Sequence, residues 1–464
     1  MSINSTPLSG RFRLREMVEG GKEIEASGEL EADAQLKEFP ARITLYGYRS
    51  EHLSLFPLFG TLIEVKFLGS EGGRSRSFVG RLHDEGWSTS APPNQIDKMG
   101  SVVIQKAVDE FSREPEADEK HRCTYTYCVD VEGWPGRGGY GFSYDGTIEL
   151  RKFRNGLNSL LRTRDINLEA VPHYIFTEDG RKTVRNKFAS ISAIWNTQDL
   201  DWKRYIDCAR VVLSFTHVVK LRPLAMSRSG AGLYRRVSWD PRMIEESPKG
   251  ARDGPVRISD QKSFHSKAIK KLFHSPHRID YLDNIIDRYV ECQTDVTLER
   301  SFAHGCEAIE GLYSLLLGSR ATKPTVTADY SSLQRELKSI INKRVLDSDD
   351  RMVAASRVDQ LFSRPTWHRV RDLINGLSNN EDDDLINRVV ERSNFFRYRN
   401  RASHGQVVRL ENEVVFQSHL MKFIIEWMFI KLCGGDVKPQ SGAYIRGDLE
   451  LDACPDVGLI QLWE

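Results

Sequence analysis

The hydrophobic pattern changes period partway along this 464-residue chain, and that change limits the folds open to it. From Phe264 onward apolar residues recur at helical spacing. Leu282, Ile285, Ile286, Tyr289 and Val290 form one stripe. Phe302, Cys306, Ile309, Tyr313 and Leu316 form a second, and Leu333, Leu337, Ile340 and Ile341 a third. Such spacing gives each of several helices one apolar face. Trp367, Val370, Leu373 and Ile374 follow. Asp382 to Asp384 then open a helix carrying Leu385, Ile386, Val389, Val390, Ser393 and Phe396, and the acidic start suits the positive helix end. The apolar stretch from Val414 to Leu432 is interrupted by Lys422, Glu426 and Lys431, so it reads as a buried helix rather than a membrane span.

Residues 10–153 follow a different rule. GRFRLR, EIEASGEL, ARITLYGY, GTLIEVKFLG, RSFVGRLH, CTYTYCVDV and GTIELRKF are rich in β-branched and aromatic residues, with Gly, Pro, Asn and Asp between them. They predict an antiparallel sandwich-like or barrel-like domain. Residues 154–235 are mixed: NGLNSLLR reads as helix, PHYIFT and ASISAIW as extended, and YIDCARVVLSFTHVV as either a helix or a buried strand. The polar stretch 238–262, with three prolines and two glycines, reads as a linker. The fold class is therefore α+β. A strand-rich, sandwich-like domain covers 1–255, with 154–235 as its mixed part. An all-helical domain covers 256–434, and 435–464 is a tail without clear period.

Composition narrows the function classes. A formal net charge of +1 means that any basic surface for nucleic acid must be local. The seven cysteines are odd in number and scattered, with no C-x-x-C, so neither a disulfide framework nor a zinc site is expected. Cys123 and Cys128 would point to opposite faces of one strand, which rules against a shared metal. The opening MSINSTPLSGRFRLRE lacks the apolar core of a signal peptide, and a reducing cytoplasm is the expected compartment.

The segment that carries chemistry runs from Arg392 to Arg409. It holds five arginines and no acidic residue, interleaved with Phe395, Phe396 and Tyr398. Such a surface can grip a phosphate backbone and stack a base. Within it, Arg399-Asn400-x-x-x-His404 supplies three groups that suffice for RNA cleavage without a metal. A histidine can take the 2′-hydroxyl proton or protonate the leaving oxygen. An arginine can hold the scissile phosphate and stabilise the charge developing on it. Asn400 can orient either by hydrogen bonding. Arg397 and Arg401 are the flanking RNA-binding candidates. The same residues also fit a plainer account, in which His404 before Gly405 caps a helix C-terminus. Five residues turn an ideal helix by about 140°, so Arg399 and His404 do not share a face. Either the helix ends near Gly405 or a two-fold partner completes the site.

R-N-x-x-x-H-G, late in a helical C-terminal domain and followed by one more apolar helix, resembles the HEPN superfamily of ribonucleases, whose motif is R-x4–6-H. Arg399, Asn400 and His404 match its positions. The match spans about 264–434. Together with GRFRL, EASGEL and the glycine-punctuated strands ITLYGY and FGTLIEVKFLG, it resembles the ApeA-like branch of bacterial anti-phage proteins. The resemblance implies a metal-independent endoribonuclease without cofactor and acting in abortive infection. RNA is the substrate, with tRNA suggested by resemblance alone. Partners would be a second copy in a homodimer or higher homo-oligomer through the HEPN domain and a phage-derived trigger, with no membrane. The β-rich half would sense or restrain. The alternative is a non-catalytic HEPN scaffold for RNA binding or dimerisation, beside a β domain that recognises a ligand or phage component.

Other residues are weaker candidates. Glu310 reads either as a polar group beside the cleft or as a solvated or salt-bridged side chain, and His304 reads as structural or exposed. Gly133 to Gly141 lacks the phosphate-loop pattern and reads as a long turn. Glu381 to Asp384 lacks calcium-loop alternation and reads as a helix start.

Overall fold

Strand β1 (Leu8–Glu16) sets the rule for the first part of the chain. Phe12 and Leu14 are fully buried, while Arg11, Arg13 and Arg15 alternate on the other face. Arg13 reaches across the ladder to Glu23 and Glu25, each at 3.1 Å. Strands β2 (Glu23–Ala32), β4 (Leu62–Phe67) and β5 (Arg74–Asp84) follow the same alternation where they are described, whereas β3 (Pro40–Gly47) and β6 (Asp97–Ser112) also bury Thr44 and Ser101 beside their apolar residues. Ile43, Leu45, Ile63, Val65, Phe78, Leu82, Val102 and Ile104 join Phe12 and Leu14 in one buried cluster. The computed structural model describes residues 8–18, 21–32, 40–47, 58–68, 74–84, 97–112, 120–128, 141–142, 148–149, 159–176, 183–197, 200–239, 254–275, 279–294, 297–317, 331–345, 347–362, 366–378, 384–403, 412–442 and 445.

Pairing is antiparallel throughout and runs β6-β3-β2-β1-β4-β5, and β5 returns to β6. The expected sandwich-like domain thus takes the barrel-like form. Edge-to-edge hydrogen bonding closes six strands into a circuit with no free edge, instead of stacking two sheets. The length of β6 permits closure. One of its edges bonds β5 over residues 100–111. The other edge is shared by β3 over 97–103 and by β14 (Leu233–Trp239) over 106–112. Gly80 sits at the register shift between β5 and β6. A Cβ there would lie 2.3 Å from the Val103 carbonyl oxygen, so the bulge requires glycine.

From β14 the ladder continues as an open run, β14-β13-β7-β12-β11-β10. Its strands are β7 (His121–Cys128), β10 (Ser159–Arg162), β11 (Ile166–Phe176), β12 (Thr183–Trp195) and β13 (Pro223–Gly230). A separate pair joins β8 (Gly141–Phe142) to β9 (Ile148–Glu149). Strand β10 corrects the helical reading of NGLNSLLR. Leu160 and Leu161 are buried and their strand pairs with β11, so tertiary pairing outweighs leucine's helix propensity. The ambiguous YIDCARVVLSFTHVV lies largely in helix α1 (Trp202–His217).

The chain divides into two units. One comprises Met1–Arg210 with Leu221–Lys249, the other Val211–Lys220 with Gly250–Glu464. The second unit is helical. Its elements are α2 (Ile258–Phe273), α3 (Ile279–Thr294), α4 (Leu298–Leu317), α5 (Ser331–Arg344), α6 (Ser348–Phe362), α7 (Thr366–Leu377), α8 (Asp384–Arg392), α9 (Phe395–Ser403) and α10 (Asn412–Leu432). Helix α4 is the hub, touching α3, α7, α9 and α10. Phe215 of α1 meets Phe429 at 4.1 Å and Tyr289 at 5.5 Å between ring centroids, in an aromatic core. The single helix expected from Asp384 to Phe396 is two: α8 stops at Arg392 and α9 begins at Phe395. Among the described residues no helix is long and apolar enough to cross a membrane.

Helix α10 ends in a Schellman turn. Gly434 has φ +66 and donates to Lys431 O, and Gly435 N–H reaches Ile430 O. The following segment folds back on the unit. Gln440 N–H bonds Pro255 O, and the Ser441 hydroxyl donates to Glu426 Oε2 at 2.5 Å. Glu426 is buried and also accepts from Tyr289 at 2.9 Å. Burial pushes its carboxyl up to about 7, against the pull of both hydrogen bonds and of Lys422. The folded state therefore keeps a proton that the unfolded chain loses near pH 4.5. Stability from this group is complete below that pH and declines as pH rises to about 7. The decline is on the order of 3 kcal/mol. Glu426→Gln should flatten that part of the stability–pH curve in denaturant titrations. A variant with the wild-type slope between pH 5 and 7 contradicts the assignment.

Candidate functional site

Everything at the motif depends on how α9 is set. At the end of α8, Ser393 Oγ donates to Val389 O at 2.6 Å, satisfying a carbonyl of the last turn. Gln417 of α10 then clamps the turn. Its buried amide donates to Arg392 O at 2.9 Å and accepts from Asn394 N–H at 2.6 Å. A second donation, to Glu413 at 2.9 Å, orients it. Trp367 of α7 holds the start of α9 by ring contacts to Phe395 at 5.0 Å and Phe396 at 5.5 Å.

Two faces of α9 result. The inward face meets α4: Tyr398 stacks on Phe302 at 5.3 Å, and Arg399 Nη1 lies 3.5 Å from Glu310 Oε1. Both charged side chains remain about one-third exposed, at 33% and 34%. The outward face carries Arg397, Asn400 and Arg401, all exposed and spaced i, i+3, i+4. The Arg401 guanidinium sits over the Tyr398 ring at 5.8 Å, a cation–π arrangement. The structure thus sets Arg399 against α4 and puts Asn400 with Arg397 and Arg401 in solvent. His404 and Gly405 lie outside the described residues, as do Gly133–Tyr140 and Glu381–Asp383. Cys306 is buried close to the pair, and burial holds its thiol well above the usual range despite Arg399.

Beside Glu310 a cleft opens between α3 and α4, with a volume of about 390 Å³. Its walls include Tyr281, Asn284, Arg288, Glu307 and Glu310. Glu310 is thus both salt-bridged and at a cleft. His304 joins an ion cluster, with Nδ1 3.2 Å from Arg288, 3.3 Å from Glu291 and 3.7 Å from Glu307. Glu291 also takes Lys220 at 2.5 Å. Burial would raise the Glu291 carboxyl, yet hydrogen bonds from Lys220 and Arg288 hold it below the usual carboxylate range. Among the described residues no group of three or more His, Cys, Asp or Glu is placed to hold a metal ion.

Sequence reasoning missed Gln417, Arg288 and Glu307. The i, i+3 pairs Arg288/Glu291 and Glu307/Glu310 were the available signal for the ion cluster. Nothing local marks Gln417, whose role depends on a turn 23 residues away. Gln417→Met should remove the side-chain partner of Arg392 O and of Asn394 N–H and destabilise the unit by about 1–3 kcal/mol, the loss of two hydrogen bonds. Denaturant unfolding with helicity monitored by circular dichroism measures this. An unchanged midpoint contradicts the clamp.

No protein-family model matches this chain, and no curated protein or solved structure is similar enough to count as a match.

Proposed function

We propose that the chain is a metal-independent endoribonuclease of the HEPN type, acting on RNA in anti-phage defence. The observation that carries this reading is the placement of Arg399. It pairs with Glu310 of α4, next to Tyr398 stacked on Phe302, and it sits beside an outward face of Arg397, Asn400 and Arg401, five residues before His404. A partly exposed, pre-oriented guanidinium next to a cationic, aromatic-backed surface suits a scissile phosphate.

In the proposed chemistry the 2′ oxygen attacks the adjacent phosphorus and the bond from phosphorus to the 5′ oxygen breaks. His404 exchanges the proton, removed from the 2′-hydroxyl and delivered to the 5′ oxygen, by itself or with a second copy. Arg399 holds the phosphate and Asn400 orients it or the imidazole. Products are a 2′,3′-cyclic phosphate and a 5′-hydroxyl, and no metal enters the balance. On an ideal helix Arg399 and His404 would lie about 140° apart, and the reading takes a two-fold dimer with both motifs lining one cleft to complete the site. A catalytically active monomer in light scattering at assay concentration contradicts that part.

One observation favours a non-catalytic RNA-holding scaffold: Glu310 already neutralises Arg399. Substitution separates the readings. His404→Ala should leave RNA affinity nearly unchanged and lower cleavage by roughly 10²-fold or more. Arg399→Ala should block cleavage and weaken binding. Arg401→Ala should mainly weaken binding and reduce its salt dependence, as for a positioning contact. Folded His404→Ala cutting RNA at the wild-type rate would hand the function to the scaffold.

A further inference from the structure

The cleft between α3 and α4 has the chemistry of a base pocket rather than a phosphate pocket. Among its described lining residues Arg288 is the one cation, and it is already engaged. Its Nε lies 3.0 Å from Glu307 Oε2 and its Nη1 donates to Glu291 Oε2 at 2.9 Å. Glu307 and Glu310, one turn apart on α4, both face the cleft. Each uses one oxygen on an arginine, Glu307 on Arg288 and Glu310 on Arg399, and each carboxylate has a second oxygen able to accept. An entering phosphate would meet these carboxylates, whereas a neutral ring bearing N–H donors would be welcomed.

The apolar part of the lining fits such a ring. Tyr281 is 42% exposed, a large aromatic left in solvent where it can serve as a stacking platform. Ile285 is buried, and Gly311 adds no side chain of its own to the wall. A Cβ on Gly311 would come within 2.7 Å of Ile285, so the two helices approach closely beneath the cleft. Asn284 adds an amide that can donate or accept.

Base chemistry narrows the choice. Two neighbouring carboxylates, each with one open oxygen, match two adjacent N–H donors. Guanine presents N1–H beside its 2-amino group on the Watson–Crick edge. Uracil presents one N–H between two carbonyls, and adenine and cytosine place their amino group next to an acceptor nitrogen. Single-stranded RNA is read in this way, by stacking and by hydrogen bonds to that edge. We propose that the α3–α4 cleft is a guanine-binding subsite. The base stacks on Tyr281 and donates N1–H and its 2-amino group to the oxygens that Glu307 and Glu310 leave open, while the other oxygen of Glu310 ties the pocket to Arg399 and so to the neighbouring phosphate. This deepens the ribonuclease reading and rests on it for the substrate class, although binding can be measured without cleavage.

The test titrates full-length protein with the 3′-monophosphates of guanosine, adenosine, cytidine and uridine by calorimetry. The guanosine nucleotide should bind about tenfold or more tighter than the others, the scale of a hydrogen-bonded contact to a charged group. Glu307→Gln, which exchanges one acceptor oxygen for a donor, should erase the preference. Tyr281→Ala should weaken all four nucleotides, and Tyr281→Phe should restore their binding. Equal affinities, or a guanosine preference that survives Glu307→Gln in a protein with wild-type circular dichroism, would overturn the subsite. Cleavage of RNA together with such indifference leaves the ribonuclease reading standing and removes the subsite alone. Selective guanosine binding with no cleavage of any RNA does the reverse.

Discussion

The side-chain amide of Gln417 bridges the broken backbone between α8 and α9, and the orientation of the motif follows from that bridge. A helix end leaves carbonyls unpaired, and the next helix start leaves N–H groups unpaired. Each such group that gains a hydrogen-bond partner stabilises the fold by about 0.5–1.5 kcal/mol. One glutamine satisfies a group on each side, bonding Arg392 O and Asn394 N–H, and it reaches them from α10, the most deeply embedded helix of the unit. The direction of α9 is therefore tied to the core rather than to the surface segment that carries the arginines.

That arrangement gives each face of α9 a separate task. Tyr398 and Arg399 are held against α4, where Phe302 and Glu310 receive them, and Arg397, Asn400 and Arg401 are offered to solvent. A guanidinium on a flexible stem loses entropy when it grips a phosphate, and pairing with Glu310 removes part of that loss beforehand. The same pair reduces the local positive charge, so an incoming phosphate has to compete with a carboxylate. At about one-third exposure the pair is loose enough for that exchange. The proposed chemistry needs Arg399 to be placed and available, and the scaffold reading needs only that it be placed.

Much of the architecture was legible because periodicity often reports burial, though the third stripe does not: Leu333 and Ile340 of α5 are exposed. The stripes Leu282 to Val290 and Phe302 to Tyr313 became the buried faces of α3 and α4. The alternation in GRFRLR put Phe12 and Leu14 into the barrel. What escaped was set by distant partners. Strand β6 hides among Lys, Gln, Asp and Glu because it serves three neighbours and is only partly buried along its length. Leu160 and Leu161 looked helical until β11 paired with their strand. The α8–α9 break fell inside a continuous apolar stripe because a side chain from α10, not a local glycine or proline, stabilises it. At the site, composition located the arginines of α9 and marked Glu310 as cleft-side or salt-bridged, but not that its partner is Arg399, since an ion pair between helices leaves no mark on the spacing within either one.

The central claim is that Arg399 and His404 cut RNA without a metal, by attack of the 2′-hydroxyl. The most direct measurement incubates the full-length protein with total RNA in excess EDTA and determines the chemistry of the new ends. The account predicts cleavage undiminished by the chelator, with 2′,3′-cyclic phosphate on one fragment and 5′-hydroxyl on the other. Cleavage that EDTA abolishes and magnesium restores, or fragments bearing 5′-phosphate and 3′-hydroxyl, would contradict it.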